Sequence, residues 1–97
     1  MREQDYQTKI AKDLTAKGWF VLNLIKTNKD GIPDLLALKK GHEPKFIECK
    51  TKKGILSPIQ EYRLNQLTDL GFETFVSRGY DITKWSEKNK KNDTNLF

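Results

Sequence analysis

The sequence predicts an α/β domain, a mixed sheet flanked by helices, with the element order α-β-β-β-α-β. Three observations predict it. Glu3 to Lys17 and Ile59 to Leu70 carry apolar residues at helical spacing, and each stretch stops at a glycine, Gly18 and Gly71. Four short β-prone runs account for most of the remaining apolar residues: Trp19 to Ile25, Pro33 to Leu38, Lys45 to Thr51 and Phe72 to Val76. The first three runs are separated by polar turns, whereas the fourth is reached only through a helix. That connection predicts a parallel, right-handed crossover between strands three and four.

In the first helix Tyr6, Ile10 and Leu14 recur at i, i+4 and i+8. Glu3 and Gln7 fall on the same stripe, so its N-terminal end is polar. Glu3 either faces a site there or only complements the positive end of the helix dipole. Lys26 to Ile32 is a polar loop turning at Asp30-Gly31. Pro33 opens the second strand, where its missing N–H is tolerated. Lys39 to Pro44 is a hairpin loop with His42 exposed in it. Ser57-Pro58-Ile59-Gln60 is a strong helix start: an N-cap serine, proline at the first helical position, and a Ser-x-x-Gln capping box. Ile59, Arg63, Leu67 and Leu70 give this helix its period. Asp81 is expected to cap a short last helix carrying Trp85, and the chain from residue 88 reads as a polar, frayed tail.

Residues 1–97 are expected to form one domain with one modest core. With 36% hydrophobic and 32% charged residues, the chain has the balance of a folded rather than a disordered protein. No apolar run reaches the length of a membrane span, and Met1 leads straight into Arg2-Glu3-Gln4-Asp5. No membrane partner and a cytoplasmic location are therefore expected. The single cysteine, Cys49, excludes an internal disulfide and a cysteine-based zinc cage. The single histidine excludes nuclease schemes built on paired histidines. A net charge of +5 favours an acidic partner, of which nucleic acid is the commonest.

Against that basic background two carboxylates stand out. Asp34 sits at the mouth of Leu35-Leu36-Ala37-Leu38, and Glu48 and Lys50 alternate with Ile47, Cys49 and Thr51. Strand alternation puts Glu48 and Lys50 on one face and the Cys49 thiol on the other, in the core. If the two strands pair as a hairpin, Asp34 reaches the same end of the sheet. A half-buried charge is costly unless it is paired or metal-bound. Two readings follow: a Glu–Lys couple on an exposed sheet face, or an acid pair converging on a divalent ion. In the second, Mg²⁺ or Mn²⁺ relieves the repulsion between the acids, and the backbone carbonyl of Cys49 adds an oxygen. Lys50 then offsets charge developing in a transition state. Lys26, Lys29, Lys39, Lys40, Lys52 and Lys53 flank these positions in sequence. Lysines so placed suit a phosphate backbone and read no bases, although each is equally an ordinary solvated lysine.

Gly31-Ile-Pro-Asp34, Ile47-Glu-Cys-Lys50 and Ser57-Pro-Ile-Gln60, at these spacings, resemble the VRR-NUC domain, a branch of the PD-(D/E)XK nuclease superfamily. The resemblance runs from about Glu3 to Val76. It implies a restriction-endonuclease-like core and a metal-dependent phosphodiesterase acting on DNA, with Mg²⁺ or Mn²⁺ and no small-molecule cofactor. Asp34 and Glu48 match the family's metal-binding acids and Lys50 its catalytic lysine. Glu3 matches the first-helix glutamate that reaches the metal directly or through water, with Asp5 an alternative two residues on. Gln60 matches the glutamine that closes the site from the second helix, a role compatible with capping. Lys26, Lys29, Lys52 and Lys53 are the expected DNA contacts. Small stand-alone members from phage and bacteria resemble homodimers that cut branched DNA such as four-way (Holliday) junctions. A phage-encoded member works in the bacterial host cell. A junction's approximate two-fold symmetry suits a closed dimer, with Trp19 or Trp85 supplying either the interface or ordinary core. The alternative, from another class, is a non-catalytic DNA-binding module that kept the nuclease fold.

Overall fold

The computed structural model describes residues 2–78. The expected last helix, with Asp81 and Trp85, and the tail from residue 88 lie outside the described residues. The elements are α1 (Glu3–Ala16), β1 (Phe20–Asn23), β2 (Leu35–Leu38), β3 (Lys45–Cys49), α2 (Pro58–Asp69) and β4 (Glu73–Ser77). The strands make one sheet in the order β1-β2-β3-β4. Strands β1, β2 and β3 pair antiparallel in succession, and β3 pairs parallel with β4 through α2. This is the mixed, helix-flanked sheet of a restriction-endonuclease-like core. Among the described residues no helix is long and apolar enough to cross a membrane.

Both helices stop in the same way. The Gly18 N–H bonds to the Thr15 carbonyl at 3.1 Å and the Trp19 N–H to that of Leu14 at 3.0 Å. Gly71 on Thr68 and Phe72 on Leu67 repeat the pattern at 2.9 and 3.1 Å. These bonds satisfy the last free carbonyls and turn the chain sharply. They also correct the first strand: Trp19 belongs to the helix stop, and β1 starts at Phe20. Trp19 is only 5% exposed, so it is a core residue and not the interface residue the sequence allowed.

Residues directly opposite in a sheet share a face. One face, with Leu35, Ala37, Ile47, Cys49 and Phe75, packs against Ile10 and Leu14 of α1 and Trp19 to form the core. The other face carries Phe20, Leu22, Leu36, Leu38 and Phe46. There α2 packs against β4 at one edge of the sheet, and Phe20 and Leu22 at the other edge remain exposed. Because α2 rests on an edge, it buries a narrow strip centred on Leu64, with Gln60, Arg63, Leu67 and Thr68 half-buried beside it. Ile59 and Leu70, expected inside, are 40% and 67% exposed.

At one end of the core-facing side lies a pair that the sequence did not announce. The Lys45 ammonium is fully buried, forms an ion pair with Glu73 from the parallel neighbour, and lies 5.5 Å from the ring centres of both Trp19 and Phe75. Partnership between charge and rings is what makes an ammonium tolerable there. Lys39 is at this end too, donating to the Lys17 carbonyl at 2.9 Å. Lys39 and Lys40 therefore sit at the far end of β2 from Asp34, although they are near it in sequence. His42 is exposed, as expected, with its ring 5.1 Å from that of Trp19.

Candidate active site

Strands β2 and β3 bring the two acids together by register alone. Leu35 faces Ile47, and one further step sets Asp34 opposite Glu48. Asp34 lies just before β2, where its carbonyl accepts the Leu24 N–H at 2.8 Å and its Oδ2 accepts the Cys49 N–H at 2.8 Å. A strand residue turns its N–H and C=O to the same edge, so the Cys49 carbonyl is directed to the Asp34 side as well. The Cys49 thiol is buried in the core on the opposite face, where burial pushes its pKa up.

The loop delivering Asp34 is tightly held. Gly31 has φ +78°, and a Cβ placed there would lie 2.6 Å from the Ile59 carbonyl oxygen. Only glycine accepts both conditions, which gives the Gly-x-Pro-Asp pattern its first residue. Pro33 is buried, and the Arg63 Nε donates to the Asp30 carbonyl at 2.7 Å. The loop is thereby fixed to the first turns of α2.

Glu48 is 1% exposed. Gln60 Nε2 donates to its Oε2 at 3.1 Å, and Lys50 Nζ stands 3.9 Å from that oxygen and 3.6 Å from Glu3 Oε2. The Gln60 amide serves two partners: its oxygen accepts the Ser57 N–H at 2.9 Å, completing the capping box, while its nitrogen holds Glu48. The other Glu48 oxygen, Oε1, is buried with no donor. Burial first, and the Asp34 charge second, push Glu48 up to about 8, against the opposing pull of Lys50. Asp34 is also raised, by burial, with the Cys49 N–H working the other way.

The structure thus gathers Asp34, Glu48, Lys50, Gln60 and Glu3 at one end of the sheet. Asp5 is engaged elsewhere, accepting the Arg2 N–H at 3.0 Å at the start of α1. Among the described residues no three His, Cys, Asp or Glu side chains gather into a metal-holding group. The acids form a pair, and Glu3 is drawn toward Lys50. Beside Asp34 opens a groove of about 700 Å³ between α1 and the end of β1, lined by Glu3, Gln7, Lys12, Asn23 and Ile25. Lys26, Lys29, Lys52 and Lys53 are exposed on the two loops leaving this end of the sheet. Sequence reasoning missed Arg63 and Arg78, which hold those loops. Arg78 Nη1 donates to the carbonyls of Thr51, Lys52 and Gly54. Neither arginine lies in a motif, so nothing local signals its role.

The family model described as VRR-NUC domain matches residues 2–81. Comparison with curated proteins gives no match.

Proposed function

This chain belongs to the VRR-NUC domain family, and from that premise we propose that it is a divalent-metal-dependent DNA endonuclease selective for branched structures such as four-way junctions. The observation that carries the reading is the acid pair, half-buried Asp34 against buried Glu48, with one Glu48 oxygen left without a donor. Such a pair is unfavourable until a cation joins it. Two carboxylates and the Cys49 carbonyl fit Mg²⁺ or Mn²⁺, ions that prefer oxygen and keep several waters. When bound, the ion supplies Lewis acidity and lowers the pKa of a bound water.

The chain's own groups do the rest. Gln60 fixes Glu48 through Oε2, so Glu48 would be one of the residues that hold the ion. The Cys49 N–H fixes Asp34 through Oδ2 in the same manner. Lys50 offsets negative charge building on the phosphoryl group and steadies the attacking water. Glu3, close to the same ammonium, is assigned to reach the ion directly or through water. Lys26, Lys29, Lys52 and Lys53 anchor the phosphate backbone and impose no sequence preference.

The protein acts as a homodimer. The exposed apolar edge of β1, Phe20 and Leu22, supplies the interface in place of Trp19, and two copies match the approximate symmetry of a junction.

The test compares labelled four-way junction, splayed arm, flap and linear duplex, with Mg²⁺ and with chelator. Metal-dependent cleavage of the branched substrates is expected, abolished in Asp34→Asn and Lys50→Ala. Cleavage that survives both substitutions overturns the site, and salt-sensitive binding with no turnover favours a pure binding module.

A further inference from the structure

Ile25 and Ile55 are the two most exposed large apolar side chains among the described residues, at 86% and 84%. Neither is a stray residue on a slack loop. Ile25 follows Leu24, whose N–H is bound to the Asp34 carbonyl, and it lines the groove that contains Asp34 and Glu3. Ile55 follows Gly54, whose carbonyl is held by Arg78 along with those of Thr51 and Lys52. A Cβ on Gly54 would lie 3.4 Å from Lys50 Cδ, so this loop lies against the lysine of the site. The loop after Ile25 is held in turn by Arg63 on the Asp30 carbonyl. Two arginines therefore fix two loops, the one that delivers Asp34 and the one that follows Lys50, and each loop presents one bare aliphatic side chain.

The neighbours of these isoleucines set them apart from Phe20 and Leu22. Ile25 is followed by Lys26 and, after two more residues, Lys29; Ile55 is preceded by Lys52 and Lys53. All four lysines are exposed. An apolar tip among cations matches a polyanion with apolar faces between its charges, which is the chemistry of unstacked nucleobases on a phosphate chain.

We propose that Ile25 and Ile55 are a pair of wedges that pack against unstacked bases on either side of the scissile phosphate, so that DNA already opened at a branch is preferred over continuous duplex. This deepens the nuclease reading and rests on its nucleic-acid partner. A continuous duplex must lose stacking to admit the wedges, whereas a branch point has already lost some. Preference for branched DNA then comes from two side chains that read no base edge.

The experiment places 2-aminopurine next to the branch of a four-way junction and measures its fluorescence and the binding affinity in chelator, where hydrolysis is absent. Wild-type protein is expected to raise the fluorescence several-fold. Ile25→Ser and Ile55→Ser each lower junction affinity by about tenfold, the loss of one buried aliphatic side chain, and leave linear-duplex affinity little changed. The double variant abolishes the fluorescence rise, and Ile25→Leu with Ile55→Leu retains it. Both residues are too exposed for these changes to disturb folding, which circular dichroism checks. An unchanged fluorescence signal with wild type, an equal rise in the double serine variant, or failure to bind DNA at all overturns the proposal. Metal-dependent cleavage is measured in parallel. Cleavage without any fluorescence rise sinks the wedges alone, and a fluorescence rise without cleavage sinks the nuclease reading alone.

Discussion

Glu48 carries a conflict between stability and use. Its side chain is shut away from water beside a second carboxyl, an arrangement that costs free energy in the absence of a cation. Replacing it with Gln removes the charge, keeps the shape, and preserves an acceptor for Gln60. Glu48→Gln is therefore expected to raise the melting temperature of the metal-free protein by roughly 5 °C or more at pH 8. The same change should lower metal-dependent cleavage at least 100-fold. The pH dependence has a definite sign. The folded pKa, about 8, lies above the 4.5 of an unperturbed glutamate, so the protonated group is at no disadvantage below about 4.5. Stability is then lost as pH rises through 8. The melting-temperature gap between variant and wild type should be near zero at pH 4.5 and widen up to pH 8. Added Mg²⁺ should narrow it by stabilising only the wild type. A gap that stays constant with pH would mean that Glu48 is not the titrating group.

At the scale of elements, the loop into β2 and the far end of β3 are the places where a single change does most harm. Gly31→Ala meets both a positive φ and a backbone oxygen of α2, and is expected to cost about 2–4 kcal/mol in chemical denaturation. At the other end, Glu73→Gln removes the carboxylate paired with the buried Lys45 ammonium and is expected to cost about 3–5 kcal/mol. The double change Lys45→Met with Glu73→Leu removes both charges and should recover most of that loss. Failure of the double variant to recover would mean that the rings of Trp19 and Phe75 need the cation. The helix starts and stops were legible in the sequence because capping is local: Ser57, Pro58, Gln60, Gly18 and Gly71 act within a few residues of themselves. The buried side of α2 was not legible. Leu64 lies inside while Ile59 and Leu70 do not, because the helix sits over one edge strand, and no periodicity records where a helix sits on its sheet. Lys45 was missed for a related reason: its partner is 28 positions away across a parallel pair.

For the molecule as a whole, topology follows from the order of elements, since a helix between two neighbouring strands requires a parallel crossover and short turns require hairpins. The meeting of Asp34 and Glu48 was legible too, because strand register converts a sequence pattern into a distance. Which lysines surround the site was only half legible, for Lys39 and Lys40 are close in sequence and a strand length away in space. Assembly is the property least written in the chain. Leu22→Asp changes an exposed position of an edge strand, so it should leave the fold intact while shifting sedimentation from dimer to monomer. An unchanged dimer would place the interface elsewhere.

The lone thiol of Cys49, packed between sheet and helix one residue from Glu48, has a practical consequence. With its pKa pushed up and its surface fully covered, it should resist alkylation for as long as β3 stays in place. Its rate of modification by a thiol reagent therefore clocks the opening of that strand, and fluorophores attached at engineered surface cysteines can share the chain with it unconfounded.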